Sequence, residues 1–153
     1  MTDIVKLIAY EEGWRSKPYL CSEHYPTVGY GFKLSTQKGH LEYFNFSLPR
    51  AAGDAWLIEL LESNMTQMQE HDGFKSALSG CNDARVAVLM SMVYQIGFRG
   101  VSKFKRMLTA MAEQNWERAA DEMLDSRWAR QTANRAKRHA EQMRSGLWFQ
   151  GYV

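Results

Sequence analysis

The sequence has few of the features that mark special classes of protein. Two cysteines, Cys21 and Cys81, are too few for a disulfide framework, and in a reducing compartment we expect both to be free thiols. No uncharged apolar stretch approaches the roughly 20 residues that span a bilayer, so we expect no membrane insertion. The chain does not open on a basic segment followed by an apolar run, which predicts that it carries no signal peptide and folds in the cytoplasm.

Net charge is also small, at +2, but the two halves of the chain differ. Residues 1–84 carry seven basic and eleven acidic side chains, whereas residues 85–153 carry twelve basic and six acidic ones. A basic surface attracts polyanions, so nucleic acid and an anionic cell-wall polymer are both candidate partners. Aromatic residues interleaved with the basic ones and a known docking motif are missing, so we expect no nucleic-acid partner.

What is present is typical of one soluble globular domain: 153 residues, 45% hydrophobic and 24% charged. Apolar residues at helical spacing predict helices at both ends of the chain. Strand-forming residues punctuated by proline and glycine predict two or three short antiparallel strands within residues 14–34. We therefore predict a mostly helical α+β domain. Its predicted parts are a β lobe at about 13–46, a helical lobe from 1–12 and 70–153, and a connecting helix at about 47–69.

The helical lobe contains one strongly apolar segment. Residues 86–93 are almost all apolar, which predicts a helix at the buried centre of the domain. Gly97 and Gly100 predict a break after it, followed by a new helix over residues 101–111.

Glu12 is the first candidate for chemistry, because it stands at the predicted end of the first helix, next to Gly13. The negative end of the helix dipole disfavours ionisation of a carboxyl group there, which suits a general acid. A solvated surface glutamate is the alternative.

Cys21 lies among turn-forming residues, where an inert cysteine is the ordinary interpretation. With His24 it has the Cys-x-x-His spacing of a zinc site, but no second pair has ligand spacing. We expect no metal and no cofactor. Further on, Gly29 and Gly31 alternate with larger residues in a predicted strand, which indicates either close approach of a ligand or backbone, or tight packing against a helix.

Together these residues resemble the N-terminal site of the T-even phage lysozymes, glycoside hydrolase family 24. The family has Glu, eight residues, Asp or Cys, five residues and Thr, and here Glu12, Cys21 and Thr27 have that spacing, followed by the Val-Gly-Tyr-Gly of residues 28–31. Other blocks are similar to the family in the same order: residues 92–97, 126–128, 131–138 and 145–148.

The resemblance implies a two-lobed lysozyme with a cleft between the lobes. It also implies hydrolysis of the β-1,4 bond between N-acetylmuramic acid and N-acetylglucosamine in peptidoglycan. Glu12 is then the proton donor, Thr27 helps hold the attacking water, and the water-activating residue falls on Cys21. Arg135 is implied as the ion-pair partner of Glu12. We expect supporting or substrate-binding roles at Glu23, Gly31, Phe32, Gln95, Arg127, Thr132 and Arg135.

The thiol of Cys21 needs a separate interpretation. With an ordinary pKa of about 8.5, a thiol is mostly neutral at pH 7 and would stabilise an oxocarbenium-like transition state poorly. It could act as base or nucleophile if its pKa is lowered. Glu23, in the same hairpin, is an alternative base. Phe32 replaces the family's histidine, so an ion pair typical of that place is absent, with an effect on stability rather than chemistry.

Three other functions stay open at this point. A basic helical face could bind nucleic acid, a cleft without a base could only bind peptidoglycan, and an acid without a water-activating base could act as a lytic transglycosylase. The resemblance favours a monomeric phage endolysin. Such an enzyme is expected to wait in the host bacterial cytoplasm until a holin opens the membrane, and then to reach periplasmic peptidoglycan and lyse the cell.

Overall fold

The computed structural model describes residues 2–153, with side chains from Asp3 onward. Within these residues the chain has eight α-helices and three strands, which confirms the predicted mostly helical α+β class. The helices are α1 Thr2–Glu12, α2 Arg50–Gln69, α3 Asp72–Leu78, α4 Asp83–Ser102, α5 Lys105–Ala112, α6 Trp116–Leu124, α7 Arg127–Gln131 and α8 Ala133–Ser145. The strands are β1 Arg15–Leu20, β2 Pro26–Gly29 and β3 Phe32–Lys33, and short 3-10 helices lie at Leu41–Tyr43 and Gln150–Tyr152.

The chain forms two compact units, one extending to Leu60 and the other comprising Leu61–Val153. Helix α1 and the sheet belong to the first unit, and α3 to α8 belong to the second. Helix α2 runs through the boundary. The predicted grouping of α1 with the helical lobe stays a prediction.

In the first unit, α1 buries Ile4, Leu7 and Ile8, the apolar positions at helical spacing. It ends at Gly13, whose φ of 73° is a left-handed conformation that glycine adopts without steric cost. The three strands form an antiparallel sheet in the order β1-β2-β3. Tyr19 in β1 faces Thr27 in β2.

The two glycines at positions 29 and 31 do not lie within one flat strand, contrary to what the sequence pattern predicted. Gly29 closes β2 and Gly31 lies in the turn before β3, with φ values of 66° and 81°. Both conformations are disfavoured for residues with a Cβ. A Cβ on Gly29 would lie 2.7 Å from ring atoms of Phe32, so the first glycine is required by close packing as well. The alternation of glycines with larger residues in the sequence therefore reflects a tight turn and not a flat strand.

The second unit is built around α4, whose residues Ala87–Val93 are all buried, as predicted from their apolar run. The predicted break is present at Gly97, which has non-helical φ and ψ of 81° and 161°. The predicted helix start at Val101 is wrong, because α4 resumes after Gly97 and continues through Gly100 to Ser102. A glycine with negative φ fits within a helix, so Gly100 alone does not end one.

Helix ends in the second unit follow local capping chemistry. The side chains of Asn82, Asn115 and Ser126 each accept a hydrogen bond from the backbone N–H three residues later. Gly146 ends α8 with a φ of 70°. No helix within residues 2–153 has both the length and the apolarity to cross a bilayer.

Candidate active site

Glu12 is the last residue of α1, where Gly13 turns the chain out of the helix by donating its N–H to the carbonyl of Ala9 at 3.0 Å. The Glu12 side chain is half-buried. Gly31 lies directly against it, because a Cβ built on Gly31 would be 3.5 Å from Oε2 of Glu12. Gly31 thus brings backbone without a side chain next to the carboxylate.

The turn that carries Gly31 is anchored through Tyr30. Tyr30 is fully buried, donates its hydroxyl proton to Oδ1 of Asp54 at 2.5 Å and accepts from Nε of Arg50 at 2.6 Å. Burial raises the pKa of Tyr30, and the bond to Asp54 raises it further against the opposing effect of Arg50. Tyr30 therefore stays a neutral donor, and the first turns of α2 hold the Gly31 turn beside Glu12.

Phe32 packs on the other side of this turn. Its ring stacks on Trp56 of α2 with centroids 4.3 Å apart and meets the Tyr30 ring edge-on at 6.0 Å. The residue is buried. Phe32 thus makes aromatic contacts at the position where the family that the sequence resembles has a histidine in an ion pair. These contacts support a structural role for Phe32.

Cys21 follows β1 and opens a tight turn. Its carbonyl accepts from the N–H of His24 at 2.8 Å, and its own N–H donates to the carbonyl of Tyr25 at 3.0 Å. His24 has a φ of 67°, which closes the turn and brings β2 back along β1. Glu23 lies at the exposed tip of this turn.

The thiol of Cys21 is tuned by this turn. Burial acts to raise its pKa, but hydrogen bonds from the backbone of Tyr25 and Glu23 and from the side chain of Thr27 outweigh it, and the pKa of Cys21 is lowered. Thr27 is buried, and its single hydroxyl proton also has the carbonyl oxygen of Tyr25 as an acceptor at 2.8 Å. Cys21 and Thr27 therefore belong to one hydrogen-bonded group.

Tyr19 connects this group with Glu12. Burial raises the pKa of Tyr19, the Arg15 guanidinium lowers it, and the charges of Cys21 and Glu12 raise it. The Arg15 guanidinium lies over the Tyr19 ring at 4.1 Å. Sequence analysis gave Tyr19 no role, although its place in β1 opposite Thr27 was the signal that could have identified it.

A thiol-labelling experiment checks the chemistry of Cys21. Burial raises the pKa of Cys81 to about 11 against the opposing charge of Arg85, whereas the pKa of Cys21 is below its ordinary value. Because only the thiolate is nucleophilic, we expect iodoacetamide to alkylate Cys21 at least about tenfold faster than Cys81 at pH 7. Mass spectrometry of the two cysteine peptides measures both rates across pH.

Thr27→Val removes one hydrogen bond that stabilises the thiolate, so the midpoint of Cys21 alkylation is expected to move to higher pH. Thr66→Val, on the exposed face of α2, is the matched control and should leave the midpoint in place. Equal midpoints for Cys21 and Cys81 would contradict the assigned role of the turn.

The remaining predicted site residues lie in the second unit. Gln95 in α4 accepts from the indole N–H of Trp128 at 2.8 Å, and Thr132, between α7 and α8, donates its hydroxyl proton to the carbonyl of Trp128 at 2.9 Å. Arg127 is exposed at the start of α7. Gln95 and Thr132 are thus held around one buried tryptophan. Arg127, which precedes that tryptophan in the sequence, lies on the surface.

Arg135 is buried in α8 and forms part of a polar network inside the second unit. Its Nη2 donates to Oγ of Ser91 at 2.9 Å, and the same Oγ is 2.8 Å from Nε2 of His139. The His139 Nδ1 lies 3.3 Å from the Tyr152 hydroxyl. The sequence patterns identified neither Ser91 nor His139 as part of such a network. The predicted pairing of Arg135 with Glu12 stays a prediction.

A metal role has no support in this arrangement. Among the described residues, no three His, Cys, Asp or Glu side chains are grouped so that they could hold a metal ion. Cys21 and His24 belong to the same tight turn through their backbones.

Known proteins are similar to this chain over most of its length. The sequence model of the phage lysozyme family matches residues 9–145. The chain is 31% identical to the pre-baseplate central spike protein Gp5 of Enterobacteria phage T4 over 88% of its own length, and it spans 26% of that longer protein. It is 27% identical to probable T4-type lysozyme 1 of Dictyostelium discoideum, covering 90% of this chain and 91% of that one. The chain belongs to the phage lysozyme family.

Proposed function

We propose that this chain is a glycosidase of the lysozyme type that hydrolyses the β-1,4 bond between N-acetylmuramic acid and N-acetylglucosamine in peptidoglycan. The observation that carries the proposal is the half-buried Glu12 carboxylate beside the side-chain-free Gly31 turn, in the same unit as the Cys21 and Thr27 group. Family membership supports it, since the matched residues include all four positions.

Glu12 acts as the general acid in this proposal. It donates its proton to the glycosidic oxygen as the bond to the anomeric carbon breaks, so that the leaving sugar departs as an alcohol. In this proposal the sugar oxygen approaches the carboxylate at the end of α1 from the side of Gly31, which has no side chain.

In this proposal Cys21 and Thr27 bind and activate the attacking water. A thiolate at Cys21 accepts a proton from the water, and Thr27, whose single hydroxyl proton is donated to the Cys21 sulfur or to the carbonyl of Tyr25, accepts a hydrogen bond from that water. The lowered pKa of Cys21 makes the thiolate available closer to neutral pH than an ordinary cysteine would be. Glu23 remains the alternative base.

Product analysis tests the reaction itself. Purified peptidoglycan is digested with the protein and the fragments are identified by mass spectrometry. We expect reducing N-acetylmuramic acid ends, because water is the acceptor in hydrolysis. Ends in the 1,6-anhydro form would instead show that the chain is a lytic transglycosylase. Intact glycan with bound protein would show that it binds peptidoglycan without cleaving it.

The cellular role is a separate part of the proposal. An enzyme of this kind would lyse a bacterial host at the end of a phage cycle, acting as a monomer on periplasmic peptidoglycan after holin-mediated release from the cytoplasm. The similarity to a pre-baseplate central spike protein supports a second candidate, a part of the phage particle that acts without a holin. Expression with and without a holin, followed by optical density, separates the two.

A further inference from the structure

A second group of chemically active side chains lies in the first unit, around the ring of Tyr25. The ammonium of Lys33, at the end of β3, lies 4.2 Å from the ring centroid, and that of Lys38 lies 5.6 Å from it. Attraction between a cation and the face of an aromatic ring holds each flexible lysine in place. Two positive charges are thereby concentrated on one half-buried tyrosine.

The loop that carries Lys38 is tied to the sheet at both ends. The N–H of Leu34 donates to the carbonyl of Pro26 at 2.8 Å, and the N–H of Gly39 donates to the carbonyl of His24 at 2.8 Å. Inside the loop, Oγ of Ser35 accepts from the N–H of Gln37 at 3.0 Å. Ser35 therefore still has its hydroxyl proton to donate, and the loop presents it from a fixed backbone.

The positive charge of this group is not balanced locally. Within residues 2–153, neither the Lys33 nor the Lys38 ammonium has a carboxylate oxygen within 4.0 Å. The nearby carboxylate of Glu42 lies 3.5 Å from the imidazole of His40 instead. Lysines without a carboxylate partner next to an aromatic face create a positive potential that an incoming anion would satisfy.

An open recess of about 640 Å³ lies at this group. Its walls combine charge, hydroxyl groups and apolar surface, and they are formed by Tyr25, Lys33, Leu34, Ser35 and Thr36. Ammonium and hydroxyl donors suit a carboxylate, while the tyrosine ring and the leucine suit the aliphatic chain that carries it. A neutral sugar would leave the charge of Lys33 in the wall, and that of Lys38 on the same ring, without an anionic partner.

We propose that this recess binds the carboxylates of the peptidoglycan stem peptide, an assignment of substrate that rests on the proposed function. The glycan strand of peptidoglycan offers no free carboxylate where the lactyl group is joined to peptide, so the anionic groups next to the cleaved bond are those of the peptide. The recess gives the enzyme a contact with peptide-bearing wall that is separate from the Glu12 and Cys21 group.

Titration with a soluble peptide tests the site without catalysis. The probe is L-alanyl-γ-D-glutamyl-L-lysine, and binding is followed by the backbone amide resonances of the full chain. We expect shifts at Lys33, Ser35 and Thr36, no such shifts with the peptide amidated at both carboxylates, and affinity at least about tenfold weaker for Lys33→Gln/Lys38→Gln. Lys17→Gln/Lys75→Gln removes two exposed charges elsewhere and should bind as the wild type does.

Three results would overturn the proposal: no shifts at these residues, equal binding of the amidated peptide, or unchanged affinity in Lys33→Gln/Lys38→Gln. Inorganic phosphate binding as tightly as the peptide would also do so, because the recess would then be a general anion site. The unfolding temperature of each variant is measured alongside, and Lys33→Ala alone serves if the double variant does not fold.

Kinetics then separate this site from the reaction. On peptide-bearing peptidoglycan, the double variant is expected to raise KM severalfold with kcat unchanged, whereas on peptidoglycan whose peptide carboxylates have been amidated the two proteins should have equal KM. Equal effects on both substrates would overturn the proposal. Absence of all cleavage by wild-type protein would refute the proposed function, while the peptide titration would still decide whether the recess binds carboxylates.

Discussion

Replacement of Glu12 by glutamine is expected to reduce peptidoglycan cleavage by about 10²- to 10⁴-fold, the usual contribution of a general acid. Glutamine has nearly the shape of glutamate but holds no transferable proton, so the substitution removes the acid with the smallest change in volume at the half-buried end of α1. Release of reducing ends from purified peptidoglycan measures the rate. The effect should fall on kcat, since the proton is transferred only in the transition state.

A control substitution at another glutamate shows whether the loss of activity is specific to Glu12. Glu59→Gln changes an exposed side chain on α2 and should leave kcat and KM unaltered. Co-sedimentation of Glu12→Gln with insoluble peptidoglycan should be retained, which separates loss of chemistry from loss of binding. Undiminished cleavage by Glu12→Gln would remove the proposed mechanism altogether.

Replacement of Cys21 by alanine is the second large effect, and we expect kcat to fall about 10²-fold or more because the water loses its base. Cys21→Asp should restore much of the activity, since it supplies the carboxylate found at this position in the family's aspartate members. Turbidity loss of permeabilised Gram-negative cells and reducing-end release both measure this. Cys81→Ala is the control and should behave as wild type, because burial raises the pKa of that thiol to about 11.

The pH dependence distinguishes a base from a bystander at Cys21. Activity that needs the thiolate must rise with pH through the pKa of Cys21, which lies below its ordinary value. An aspartate ionises near a pKa of about 3.9, so the acid limb of Cys21→Asp should move to lower pH. If Cys21→Ala is as active as wild type, or both proteins share one pH profile, Cys21 has no catalytic role and Glu23 becomes the base to test.

Helix positions were largely predictable from the sequence because they are set by local chemistry. Ile4, Leu7 and Ile8 have helical spacing and are buried, and Gly13 ends α1 because it adopts a positive φ. Asn115 caps α6 through a hydrogen bond to the N–H of Arg118. The failure at Gly100 has an equally clear reason, since a glycine ends a helix only when its φ becomes positive, and here Gly97 has that conformation.

The motif of the candidate site is visible in the sequence, but the geometry around it is not. The spacing of Glu12, Cys21 and Thr27 is visible in the sequence, whereas the contact between Gly31 and the Glu12 carboxylate depends on a turn that folds against the end of α1. The anchor of that turn, Tyr30 with Asp54 and Arg50, joins positions 20 or more residues apart. No local sequence pattern predicts these contacts, because nothing in the residues next to each partner indicates which distant residue it will meet.

The sequence by itself determined the α+β class, the buried apolar segment of α4 and the spacing of Glu12, Cys21 and Thr27, because these depend on apolar periodicity, backbone preference and distance along the chain. Only the tertiary structure decided the ionisation of Cys21, since its pKa is lowered by hydrogen bonds that exist when the turn closes on Tyr25 and Thr27. The same holds for the recess at Tyr25, where Lys33 and Lys38 reach one ring from different segments. Charge and hydrogen bonding act through space, so their effects appear only when folding has brought the partners together.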